Sequence, residues 1–217
     1  MAPIGGLQKR AIRLWRGPTG SLASSQEAEP PMQQLVESER RQLLDLARAA
    51  VEATARHDPM PGLDPEAITP DILAPAAAFV TLHERGELRG CIGMMRYDVP
   101  LWMNVRDSAV AAARNDPRFM PVAPSELSGI DIEISVLEPP VPLPDPALFE
   151  AGRHGIVVER GDCRALLLPQ VAPEMGWGAT EMLEAVCRKA GLRPDAWRDR
   201  ATRLYVFESV CFGAANC

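Results

Sequence analysis

Hydrophobic positions along the chain follow two periods. Leu43, Ala47, Ala50, Val51 and Ala55 recur at helical spacing and predict a helix over Ser38–Arg56, with Ser38 as its N-cap. Pro59, Pro61, Gly62, Pro65, Pro70 and Pro75 forbid long regular structure after it, so a loop follows. Ala77–His83 then reads as a strand, Glu84-Arg85-Gly86-Glu87 as a turn and Leu88–Gly93 as the returning strand. A second helix is predicted over Val99–Arg114, with Asp98 as cap, Pro100 in its first turn and Trp102, Val105, Ala109 and Ala112 as its apolar stripe. Asn115-Asp116-Pro117 ends it. Strict alternation over Ile130–Val136 gives the clearest strand: Ile130, Ile132, Ile134 and Val136 on one face, Asp131, Glu133 and Ser135 on the other.

After the prolines at 139–146 the order of elements returns. Gly155–Glu159 and Arg164–Leu168 flank a turn at Arg160–Cys163. A helix follows over Ala179–Ala190, with Leu183, Val186, Cys187 and Ala190 as its stripe and Gly191 as its stop. Leu204–Phe212 reads as one final strand. Hairpin, helix and strand therefore occur at 77–138 and again at 155–212, which leaves a structural duplication open, although the residues of the two stretches are not alike. Strands mixed with crossing helices give an α+β class, with helices on one face of each sheet.

Composition narrows this picture little. The chain has 217 residues, 47% hydrophobic and 24% charged, with a net charge of −6. That charge gives no general attraction to nucleic acid or to an anionic membrane. No apolar run approaches the roughly 20 residues of a membrane-spanning helix. Residues 1–34 stand apart as a basic arm and flexible linker: Lys9, Arg10, Arg13 and Arg16 punctuate Leu7, Ile12, Leu14 and Trp15 before a Ser/Glu/Pro stretch. The five cysteines, Cys91, Cys163, Cys187, Cys211 and Cys217, include no C-x-x-C. They read as reduced thiols in a cytoplasm rather than a disulfide framework or a zinc site. Three scattered histidines give no metal site and nothing calls for a cofactor.

Candidate chemistry gathers in Leu88-Arg89-Gly90-Cys91-Ile92-Gly93, which sets a guanidinium and a thiol two residues apart between glycines. A four-residue loop would pair His83 with Leu88, Leu82 with Arg89 and Val80 with Cys91. That register puts Arg89 and Cys91 on one face and Leu88, Ile92 and Phe79 on the other. If Ile130–Val136 joins the same sheet, Glu133 shares the Arg89/Cys91 face and pairs with the guanidinium. Arg89 would then favour the thiolate, while nearby carboxylates would oppose it. The glycines would admit another backbone or a ligand. His154, just before a strand, is the candidate acid/base for a Cys91 nucleophile. Asp107 and Arg118 are candidates for orienting groups near the hairpin. Packing alone also accounts for each of these residues: a core cysteine, a cross-strand ion pair, a surface histidine and ion pairs at a helix end.

At these residues the chain resembles the AMMECR-type domain, which also occurs as protein A of the AmmeMemoRadiSam system. The resemblance runs from the hexapeptide through Arg106-Asp107, Asp116-Pro117-Arg118-Phe119, Ile132–Val136, Gly152–Ile156, Leu168–Glu174 and Trp177. It implies one domain over 35–217 with two unequal, closely packed subdomains, each a small, mostly antiparallel sheet packed with helices. It also implies association with a Memo-type protein and a radical SAM enzyme, and it supplies no reaction. Two readings follow. One is an accessory or binding subunit that presents a cleft of Leu88, Arg89, Gly90, Ile92 and Gly93, with Glu133, Asp107 and Arg118, to a partner or small ligand. The other is a cysteine-dependent enzyme of acyl or alkyl transfer or hydrolysis, with Cys91 as nucleophile or acyl/alkyl acceptor, Arg89 as activator or anion clamp, and His154 or Glu133 as acid/base.

Overall fold

The computed structural model describes residues Leu35–Gly213. The expected basic arm and Cys217 lie outside the described residues. The chain divides into two compact units, one running to Ile134 and the other starting at Ser135.

In the first unit, α1 spans Glu37–Arg56 and α3 spans Leu101–Arg114, with a one-turn α2 at Pro70–Leu73 between them. The start of α1 is not capped by Ser38 as expected: Val36 takes that place, and Glu39 Oε2 accepts the Val36 N–H at 2.9 Å. The Asp98 cap of α3 fails too, because Pro100 fixes the entry with no side-chain cap. The strands β1 (Ala77–Glu84) and β2 (Glu87–Met94) form an antiparallel hairpin, and β3 (Ile130–Leu137) crosses from the first unit into the second. Helix α3 packs on β1, β2 and α1. Leu43, Val51, Val80, Leu82, Val105 and Ala109 are fully buried, each of the larger ones contributing about 1.5–3 kcal/mol by leaving water. Two polar side chains tie helix to sheet: Asn104 Nδ2 donates to the carbonyls of Ala76 and Arg96 at 2.6 and 2.7 Å, and Ser108 Oγ to that of Ala78 at 3.2 Å.

In the second unit, β5 (Gly155–Arg160) and β6 (Cys163–Leu167) make a hairpin, and α5 (Ala179–Lys189) leads to β7 (Arg203–Phe207). Gly191 has φ 78° just past α5, as the helix stop requires. Ile156, Val158, Ala165, Leu167, Leu204 and Val206 form one core with Met182, Leu183 and Val186 of α5. The expected single strand over Leu204–Phe212 is two: β7 ends at Phe207 and β8 is Ser209–Gly213, and they belong to different sheets. A short β4 (Val141–Pro142) and the five-residue α4 (Val171–Met175) complete the strands and α-helices, and short 3-10 turns, among them Pro124–Gly129, lie between them.

The sheet orders are β2-β1-β3-β8 and β4-β7-β5-β6. In each, the strand after the helix pairs with the first strand of the hairpin, so the repeated order along the sequence is a repeated topology. The polar face of β3 is divided: Asp131 is exposed, whereas Glu133 is 4% and Ser135 1% exposed. Ser135 Oγ accepts from Gln170 Nε2 at 2.9 Å and lies 3.8 Å from Cys211 Sγ. Cys211 is disulfide-bonded, against the expectation of reduced thiols throughout, whereas Cys91, Cys163 and Cys187 carry no disulfide. The lack of a C-x-x-C pattern excludes only the shortest spacing.

Candidate functional site

The hairpin that carries the hexapeptide is irregular, and the irregularity builds the site. Arg85 (φ 54°) and Gly86 (φ 82°) form a two-residue turn between the paired Glu84 and Glu87, not the four-residue loop expected. His83 pairs with Leu88, but Leu82 pairs with Gly90, leaving Arg89 as an extra residue in a β-bulge. Beyond the bulge the register is shifted by one from the expected pairing. Cys91 faces Thr81, whose Oγ1 donates to Cys91 Sγ at 3.3 Å, and Phe79, buried as expected, lies opposite Gly93 on the Cys91 face instead of sharing a face with Ile92.

The bulge re-aims Arg89 away from Glu133. Its Nε and Nη2 donate to Glu126 Oε1 and Oε2 at 2.7 and 3.1 Å, and Nη2 also donates to the carbonyl of Met120 at 3.0 Å. The guanidinium lies 5.8 Å from the centre of the Phe119 ring. The hydrogen bonds from Arg89 hold the Glu126 carboxyl below its ordinary value, against the effect of burial. Arg89 is therefore committed to the loop over 115–126 that follows α3.

A second clamp joins the same loop to Cys91. Asp116 Oδ2 accepts the Cys91 N–H at 2.9 Å and Arg118 Nη2 at 2.7 Å, while Oδ1 accepts the N–H and Nε of Arg118 at 3.1 and 2.9 Å. The Asp116 side chain is 1% exposed. Burial alone would raise its pKa; the hydrogen bonds from Arg118 and the Cys91 N–H outweigh burial and hold it below the usual carboxylate range. Arg118 is raised in turn, by its hydrogen bonds to Asp116 against burial, and further by the charges of Asp116 and Cys91. Arg118 is thus a cation in electrostatic reach of the thiol, joined to the Cys91 backbone through Asp116.

Both hexapeptide glycines are explained by the fold. A Cβ on Gly90 would sit 2.4 Å from the carbonyl oxygen of Ala112 in α3. A Cβ on Gly93 would enter the Phe79 ring at 2.0 Å. The backbone and ring that approach are the protein's own. Ile92 is core, at 9% exposure. What the segment offers outward is Leu88, 41% exposed, and the partly exposed Cys91. Met120, 81% exposed, stands beside the Arg89 anchor.

The other candidates are dispersed. Asp107 joins Arg106 at 2.9 Å and Arg96 at 3.9 Å, in a separate cluster. Asp107 and Arg106 line a pocket of about 430 Å³ with Met60, Met94, Val110 and Asn115. Glu133 is buried in β3. His154 belongs to the second unit, where its Nδ1 accepts the Glu150 N–H at 3.1 Å and its ring lies 6.2 Å from Phe149. Among the described residues no group of three or more His, Cys, Asp or Glu could hold a metal. No helix of the described residues is long and apolar enough to cross a membrane. Sequence reasoning missed Asp116, Thr81 and Glu126. Asp116 had a signal, since an aspartate two residues before an arginine at a helix exit is set to accept its N–H in a turn.

These observations define an α+β protein of two antiparallel sheets, with a thiol–arginine site on a bulged hairpin. The chain belongs to the AMMECR1 family, which matches residues 44–212. A protein of Methanothermobacter thermautotrophicus is 44% identical over 82% of this chain and 95% of its own length. One of Methanosarcina acetivorans is 41% identical over 82% of this chain and 92% of its own. The crystal structure of an uncharacterised protein from Pyrococcus horikoshii matches with a TM-score of 0.76 at 36% identity, covering 80% of this chain and 90% of that one.

Proposed function

We propose that this chain is an accessory or binding subunit that presents the outer face of its bulged hairpin to a partner. The observation that carries this is the way the hexapeptide is spent. Arg89, Gly90, Ile92 and Gly93 are consumed by the fold, while Leu88 and Cys91 are left outward beside the exposed Met120. Exposed apolar side chains around fixed polar anchors suit a protein interface. The partners this reading takes, from the resemblance the sequence carries, are a Memo-type protein and a radical SAM enzyme of the same system, met in the cytoplasm. The net charge of −6 favours protein or small-ligand partners over nucleic acid.

One observation favours the second reading, a cysteine-dependent enzyme with Cys91 as nucleophile: Arg118 is clamped beside the thiol. Such a nucleophile also needs a base, and the hydroxyl of Thr81 that hydrogen-bonds Cys91 is not one at neutral pH.

Arg89→Glu is a poor test, because it would set a second carboxylate against Glu126. The surface pair Leu88→Asp with Met120→Asp is better. Co-purification of the full chain with the two partner proteins is expected to be lost while the thermal midpoint holds. Retained co-purification by a folded double variant would refute the binding face.

A further inference from the structure

The guanidinium of Arg118 is used on one edge only. Asp116 occupies Nε and Nη2 in a side-on fork, and among the described residues Nη1 has no hydrogen-bond partner. The carboxylate that holds it is buried, whereas the Arg118 side chain is 34% exposed. The guanidinium carbon lies over the Phe119 ring, 5.4 Å from its centre, within reach of a cation–π contact. The Asp116 oxygen that receives Nη2 also receives the Cys91 N–H, which pins the cation next to the backbone of the thiol residue. An arginine fork held at one edge presents two parallel N–H groups at its other end, the arrangement that matches a carboxylate or phosphate.

We propose that the open fork of Arg118 is a binding site for a small oxyanion, a carboxylate or phosphate group whose adjoining carbon lies against Cys91 Sγ. This names the ligand class of the hairpin site and rests on the reading of Cys91 as an outward working group. Asp116 is the positioning residue and Arg118 the contact residue. Phe119 supplies an apolar wall for the carbon part of the ligand. Arg89 is set apart from this fork, its Nε and Nη2 engaged by Glu126 and Met120.

The test uses the full chain and two alkylating probes of similar size, the anion iodoacetate and neutral iodoacetamide. In both reactions the sulfur of the thiolate forms a thioether bond to the methylene carbon while the C–I bond breaks and iodide leaves. Labelling at Cys91 and at Cys163 is followed separately by peptide mass spectrometry. The ratio of iodoacetate to iodoacetamide rates is expected to be about tenfold higher at Cys91 than at Cys163, the size of one charge-assisted hydrogen-bond contact. Added inorganic phosphate or acetate should lower the iodoacetate rate at Cys91 saturably, and whichever competes at lower concentration identifies the preferred oxyanion. Arg118→Gln should bring the ratio down to that of Cys163 with labelling at Cys163 unchanged, and Arg118→Lys should recover less than half of it. Equal ratios at the two thiols, an unchanged ratio in Arg118→Gln, full recovery in Arg118→Lys, or no labelling of Cys91 in the folded chain would each overturn the site. Loss of co-purification in the Leu88/Met120 variant is independent of all these readouts, so the failure of either proposal is seen apart from the other.

Discussion

The two hairpins of this molecule share a plan and differ in one residue's worth of register. Each is followed by a helix and then by a strand that pairs with its first strand. Each sheet also carries a glycine beneath a phenylalanine on the paired strand: Gly93 under Phe79, and Gly155 under Phe207. In β5–β6 the ladder runs unbroken from Ile156↔Leu167 to Arg160↔Cys163. There the charged residues simply pair across the strands, with Glu159 opposite and hydrogen-bonded to Arg164. In β1–β2 the extra residue Arg89 breaks the ladder, and the loop over 115–126 closes on the break through Glu126 and Asp116. The scaffold is repeated and the site is not. The residues that differ between the hairpins are therefore the ones to examine for function, and the Gly–Phe pairs common to both belong to the scaffold.

The largest effect should come from Gly90→Ala, because the added methyl meets helix backbone that cannot swing aside. A loss of about 3 kcal/mol is expected in denaturant unfolding. Asp116→Asn comes next, at about 2 kcal/mol, since it leaves the Cys91 N–H and Arg118 with a weaker acceptor. This variant should also flatten the acid limb of stability. The folded Asp116 pKa lies below the unfolded value, so its contribution is complete above about pH 4 and is lost as pH falls through the folded value. An acid limb that is the same in both proteins would show that Asp116 is not the clamp. In the regular hairpin, Gly161→Ala meets no atom within 4 Å, and only its φ of 56° is at issue. It should cost about 1 kcal/mol and leave Cys91 labelling untouched. Smallest is Arg85→Asn in the bulged hairpin. A residue that tolerates the left-handed turn better should raise stability by about 0.5 kcal/mol, read as a small rise in thermal midpoint.

Much of this architecture is legible in the sequence because it rests on period. Leu43, Ala47, Ala50 and Val51 announce α1, and the alternation at 130–136 announces β3. The doubled order of elements announces the repeated topology. The site is harder to read because it depends on one inserted residue. A single-residue slip turns every later side chain to the other face, so the bulge at Arg89 moves Phe79 onto the Cys91 face and turns Arg89 to Glu126 rather than Glu133. Tertiary context also overrode alternation on β3, where polar Glu133 and Ser135 are buried. The break at Glu208 between β7 and β8 had no signal, because Leu204–Phe212 is apolar enough to read as one strand. Arg118 was legible as part of a polar group at a helix end, but its partnership with Cys91 runs through Asp116, a long-range contact that no local pattern encodes.

The most direct test of the hairpin as a partner face compares the two thiols of the two hairpins in one sample. The full chain is labelled with iodoacetamide alone and again in the presence of the Memo-type protein and the radical SAM enzyme, and Cys91 and Cys163 are quantified separately. The account predicts that the partners suppress labelling at Cys91 and leave Cys163 at its free rate. Equal labelling of Cys91 with and without the partners, under conditions where they co-purify, would contradict it.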